Sequence, residues 1–66
     1  MSKIRELRQQ RGLSIAAMSH EARVNATVLG MTERRQLAPS RIARKAVSDF
    51  FGIPEAQLFS DGGIAL

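Results

Sequence analysis

The stretch Gly12-Leu-Ser-Ile-Ala-Ala-Met-Ser-His-Glu-Ala-Arg-Val-Asn-Ala-Thr-Val-Leu-Gly-Met-Thr-Glu-Arg-Arg35 decides how the rest of the chain is read. It begins on a glycine, the residue on which helices commonly stop, and continues to Ser14, whose hydroxyl can accept a hydrogen bond from a free backbone N–H at a helix start. Behind that cap, Ile15, Met18, Ser19 and Ala22 recur at i, i+3, i+4 and i+7, a narrow inward stripe. Asn25 is a second capping residue. It opens a helix from Ala26 to about Arg34 in which Leu29 and Thr32 point one way. At about 100° per residue, Thr27, Gly30, Met31 and Arg34 gather on the other side, which carries no carboxylate.

Outward from that pair of helices the chain stays helical. Ser2 to Arg11 places Ile4 and Leu7 on one face and Lys3, Arg5, Arg8 and Arg11 around the remainder, and stops at Gly12. Gln36 to Ser40 reads as a loop, because Pro39 pushes Ala38 out of helical geometry. Ser40 then starts a fourth helix through Phe51. Its inner side is expected to hold Ile42, Ala43, Ala46, Val47, Phe50 and Phe51, with Arg41, Arg44, Lys45, Ser48 and Asp49 outside. After Gly52, a last turn around Pro54 to Phe59 would fold Ile53, Leu58 and Phe59 over the core. The expectation is an all-α domain of four to five helices over residues 1–59. Residues 60–66 form a tail, either flexible at Gly62-Gly63 or packed across a dimer through its apolar end.

Composition narrows the class. The chain has 66 residues, a formal charge of +4 and no cysteine. That allows one small domain with a preference for polyanions, and it excludes disulfides, thiolate metal sites and thiol nucleophiles. No apolar run reaches the length of a membrane span or signal core, so a soluble, cytoplasmic protein is expected. His20 is the single histidine and there is no tyrosine. It has no evident acid partner, so neither catalysis, a metal, a cofactor nor a small-molecule ligand is expected. The side holding Thr27, Gly30, Met31 and Arg34 is the one that a helix lying in a DNA major groove would present.

The order of residues from Ile4 to Phe59 resembles the Cro/cI-type, lambda-repressor-like helix-turn-helix family. The similarity rests on Leu7, Gly12, Leu13, Ser14, Met18, Ala22, Val24, Leu29, Glu33, Arg34, Pro39, Ser40, Val47, Phe51, Gly52, Ile53, Leu58 and Phe59. Asp49 to Phe59, with Phe-Phe-Gly-Ile-Pro ahead of Leu-Phe, also resembles the phage Ner-like branch. The resemblance implies a bacterial or phage repressor that binds double-stranded operator DNA as a homodimer. Ala26, Thr27, Gly30, Met31 and Arg34 would face base edges, and Arg8, Ser14, Asn25, Arg35 and Arg41 would face phosphates, as would Arg34 where it reaches the backbone. With no second domain, self-contact would fall to Phe50, Ile53, Leu58, Phe59, Ile64 and Leu66. The chain departs from the pattern in four ways: Arg23 stands where a left-handed glycine is usual, Ile15 replaces a glutamine, Thr32 replaces a core aliphatic residue, and the groove-facing set lacks the glutamine, asparagine or arginine of bidentate base contacts. Readout would then rest on thymine methyls against Ala26, Thr27 and Met31, on Arg34 and on DNA shape.

Two other classes compete with this reading. A protein-interaction module, such as an antitoxin or adaptor, would use the same fold through the apolar tail. A membrane-surface helix at 41–51 would need the apolar face that the core requires. Glu33 is expected to be a structural partner of a nearby arginine or amide, and Arg44 and Lys45 to be solvated.

Overall fold

Four short side chains set where the helices begin. In the computed structural model, which describes residues 1–66, the elements are α1 (Lys3–Gln10), α2 (Ile15–Ala22), α3 (Ala26–Glu33), α4 (Arg41–Phe51) and α5 (Glu55–Leu58). Ser2 accepts from the Arg5 N–H at 3.3 Å, Ser14 from Ala17 at 3.0 Å and Ser40 from Ala43 at 3.1 Å. Asn25 Oδ1 accepts from both Thr27 and Val28, at 2.9 and 3.2 Å. Each cap satisfies amides that the helix leaves without a partner and contributes about 1 kcal/mol. The last helix, α5, is a single turn behind Pro54 and has no side-chain cap.

The turn between α2 and α3 is only Arg23, Val24 and Asn25. Arg23 adopts φ 59 and ψ 42, the left-handed conformation in which glycine is at ease, so the chain makes the tight turn at a steric cost of about 1–2 kcal/mol. Its N–H donates to the Ser19 carbonyl, closing α2. Arg35, two residues past α3, is left-handed as well at φ 59.

The core draws Ile4 from α1, Met18 and Ala22 from α2, Val24 from the turn and Leu29 from α3. Val47 and Phe51 of α4, Leu58 of α5, and Phe59 and Ala65 beyond it complete the core. Thr32 is buried among them without harm, because its Oγ1 donates to the Val28 carbonyl at 2.7 Å within the same helix.

Two sequence expectations fail here. Ile42 does not join the inner side of α4; it is 83% exposed. The inner line of that helix runs through Ala43, Val47 and Phe50, and Ile42 stands one residue, about 100°, off it. The segment 60–66 does not fray. Ser60 donates to the Ile64 carbonyl at 2.8 Å and Leu66 to that of Leu58 at 3.0 Å, which pairs Phe59 with Ala65 as an antiparallel bridge. The Lys3 amide donates to the Leu66 carbonyl at 2.6 Å, so the tail also closes over the start of α1. No helix is long and apolar enough to cross a membrane.

Candidate nucleic-acid interface

The surface in question is the outward side of α3, and its character follows from what α3 turns inward. Leu29, Gly30, Thr32 and Glu33 are buried, Val28 and Met31 are half-buried, and Ala26 and Thr27 are exposed, as is Arg34 at the C-cap. Glu33 is the only carboxylate on this helix. Arg8 of α1 meets it with a two-pronged contact, Nε to Oε2 at 2.7 Å and Nη2 to Oε1 at 3.1 Å, while Nη1 donates to the Leu13 carbonyl at 2.7 Å. The two side chains are only 12% and 3% exposed. The pair ties α1 to the C-terminal end of α3 and removes negative charge from the exposed side. Glu33 therefore has the structural partner expected of it. The expectation for Arg8 is corrected: its donors are committed inside the protein and do not reach out to a phosphate.

The other residues singled out from the sequence fall into three groups. Ala26, Thr27, Met31 and Arg34 share one side of α3, but Gly30 is buried beneath Arg34. A Cβ placed on Gly30 would stand 3.2 Å from Arg34 Nη1 and 3.7 Å from Nη2, so the guanidinium lies back along the helix and covers the glycine. Arg34 Nε donates to Gln36 Oε1 at 3.0 Å, a contact to a residue the sequence reading left in a loop without a role.

Ser14, Asn25, Arg35 and Arg41 are exposed. The oxygens of Ser14 and Asn25 accept cap bonds, leaving the hydroxyl proton of one and the amide NH2 of the other as donors. Arg35 Nε donates to the Ala65 carbonyl at 3.0 Å, which fastens the tail to the loop after α3. Arg41, the first residue of α4, takes part in none of the ion pairs, which are Arg8–Glu33, Arg44–Glu55 and Lys45–Asp49. Arg44, expected to be solvated, instead donates to the Pro39 carbonyl at 2.8 Å and is half-buried.

The chain matches no family model, no characterised protein and no solved structure.

Of the six residues expected at a dimer surface, two are taken up by the core. Leu58 and Phe59 are core residues, and Phe50, Ile53 and Ile64 are half-buried, which leaves Leu66 as the exposed member. Packing of the last turn onto α4 consumes the apolar area that the sequence pattern had left unassigned. An exposed apolar feature occurs elsewhere. Arg23, Val24, Asn25, Val28, Ser40, Ile42, Ala43 and Ala46 line a groove of about 260 Å³ between the α2–α3 turn and the start of α4. Sequence reasoning missed it because it placed Ile42 inside. The available signal was that Ile42 lies in the first turn after the capping Ser40, where a helix has few neighbours.

Proposed function

We propose that this protein is a sequence-specific DNA-binding regulator of the lambda-repressor-like helix-turn-helix kind, with α3 inserted in the major groove and α2 crossing the backbone. The observation that carries the reading is the burial of Glu33 against Arg8. It leaves the outward side of α3 with Ala26, Thr27, Met31 and Arg34 and no acid, while arginines 23, 35 and 41 elsewhere on the surface are exposed. An α3 of eight residues is about 12 Å long, a length that fits within a groove about 12 Å wide. Thymine methyl groups suit Ala26, Thr27 and Met31, and Arg41 with the Asn25 amide suits phosphates.

The longest dimension of the domain is 27 Å, less than the roughly 34 Å between successive major grooves on one face of the duplex, so one copy reads one half-site. Two copies would occupy a palindromic operator and block polymerase there. With Leu58 and Phe59 taken up by the core, pairing of the copies would rest on Leu66 and the half-buried Phe50, Ile53 and Ile64.

Duplex binding across a salt series tests this function. Each phosphate neutralised contributes about 0.9 to the slope of log affinity against log salt, and a flat response refutes it. The groove beside Ile42 supports the second reading, a protein-interaction module. An activity lost in Ile42→Ser but kept in Thr27→Ala would select that reading.

A further inference from the structure

We propose that the groove between the α2–α3 turn and the start of α4 docks a short acidic segment of a partner protein, with an aliphatic side chain seated beside Ile42 and a neighbouring carboxylate paired with Arg23. This deepens the protein-interaction reading of that groove and stands whether or not α3 enters DNA. The first observation is the apolar surface. Val24 is buried and Val28, Ala43 and Ala46 are half-buried along the groove, while Ile42, also on its lining, is 83% exposed. An aliphatic side chain left in water forgoes the stabilisation that burial supplies. At about 260 Å³ the groove is smaller than the roughly 300–1,000 Å³ of sites that enclose a small molecule, and it suits single side chains of a segment laid across it.

The second observation is Arg23. It lines the groove in the left-handed conformation, at φ 59, where a glycine would avoid the steric cost. Its side chain gives the fold nothing in exchange: it is exposed and joins none of the ion pairs. A residue held in an unfavourable conformation, with no partner in its own chain, points to a partner outside it. Asn25, on the same lining, uses its oxygen on the α3 amides and keeps its amide NH2 as a donor. No aspartate or glutamate lines the groove.

Charge decides between occupants. A second copy docked here about a two-fold axis would bring two Arg23 side chains into one interface, together with two of the adjoining Arg41, and no lining carboxylate would offset them. The phosphates of a duplex would satisfy the arginine and leave Ile42 and the apolar surface in water. A segment that carries an aliphatic residue next to aspartate or glutamate satisfies both, in the manner of an amphipathic helix laid in a groove.

The test selects binders to the full chain from a displayed library of random short peptides. The winning peptide is then measured by fluorescence anisotropy against the wild type, Ile42→Ser, Arg23→Gly and Thr27→Ala at low and high salt. Winners should pair a leucine, isoleucine or valine with neighbouring acids. Ile42→Ser should weaken binding about tenfold at both salt concentrations, the effect of losing one buried aliphatic contact. Arg23→Gly should weaken it about two- to fivefold at low salt and little at high salt, while melting above the wild type, so that lost binding does not come from lost folding. Thr27→Ala should bind as the wild type does. Winners without acidic residues whose binding still falls in Ile42→Ser keep the groove as an interaction site and overturn the acidic partner. An absence of winners, or binding indifferent to Ile42→Ser, overturns both. If Arg23→Gly leaves the peptide unaffected but weakens every duplex alike and lowers the salt slope by about 0.9, Arg23 serves a DNA phosphate and the proposal fails.

Discussion

Replacing Arg8 should damage the fold far more than any DNA contact. In Arg8→Ala the Glu33 carboxylate, 3% exposed, loses both of its guanidinium hydrogen bonds, and the Leu13 carbonyl loses its donor. Removing one partner of a buried ion pair typically costs about 3–5 kcal/mol, because the other is left charged with nothing to offset its desolvation. A domain of 66 residues has in total roughly 3–10 kcal/mol of stability, so Arg8→Ala should be largely unfolded or melt far below the wild type. Glu33→Ala should behave alike. Replacing both by apolar residues of similar volume, Arg8→Met with Glu33→Leu, should recover most of the loss, since it is the orphaned charge that is expensive. Urea unfolding followed by circular dichroism at constant salt measures these proteins, and the double variant Arg8→Ala/Glu33→Ala closes the cycle that yields the coupling between the sites. If each single variant costs under about 1 kcal/mol and the two costs add, the buried bridge is not what holds α1 to α3. If Arg8→Ala instead keeps its unfolding midpoint and loses affinity for all DNA sequences alike, Arg8 is a phosphate contact after all.

Smaller effects follow from other features. Arg23→Gly should raise stability by about 1 kcal/mol by relieving the left-handed turn, seen as a melting temperature about 4–8 °C higher. The Arg11 guanidinium sits 5.2 and 4.9 Å from the Phe50 and Phe51 ring centres and donates to both of their carbonyls, so Arg11→Ala should cost about 1–2 kcal/mol in the same unfolding assay. Deleting residues 62–66 uncovers Leu58 and Phe59 and removes the bonds to Lys3 and Arg35; a loss of about 2 kcal/mol or more is expected, measured by thermal melting. Ile42→Ser should change stability by less than about 0.5 kcal/mol, because a side chain 83% exposed has little burial to lose.

The helices were legible because local chemistry dictates them. Ser14, Asn25 and Ser40 announce helix starts by carrying an acceptor on a side chain short enough to reach a nearby backbone amide, and Gly12 and Gly52 announce stops because glycine takes the left-handed twist found there, at φ 68 in both, without steric cost. What could not be read is set by partners distant along the chain. Arg8 and Glu33 are separated by 25 positions, and nothing in the neighbourhood of Arg8 distinguishes it from Arg5, which is exposed. The Phe59–Ala65 pairing turned a Gly-Gly segment that resembles a loose end into a folded strap, with Gly63 at φ 84 making the bend. Ile42 misled through periodicity: the moment of α4 says which way its average residue faces, not whether anything stands opposite its first turn. On the candidate site, the composition of the α3 face was visible from spacing. The burial of Gly30 under Arg34 was not, because it depends on one rotamer.

The hydrogen bond between Lys3 and Leu66 makes the domain nearly a closed ring. Anything attached ahead of Ser2 or behind Leu66 emerges from one corner, next to the strap that grips Arg35. A short peptide joining these two points would add little loop entropy, and the ring could then be reopened in the exposed stretch around Gln36. Such a permuted chain would separate α3 from α4 in sequence while keeping them neighbours in space.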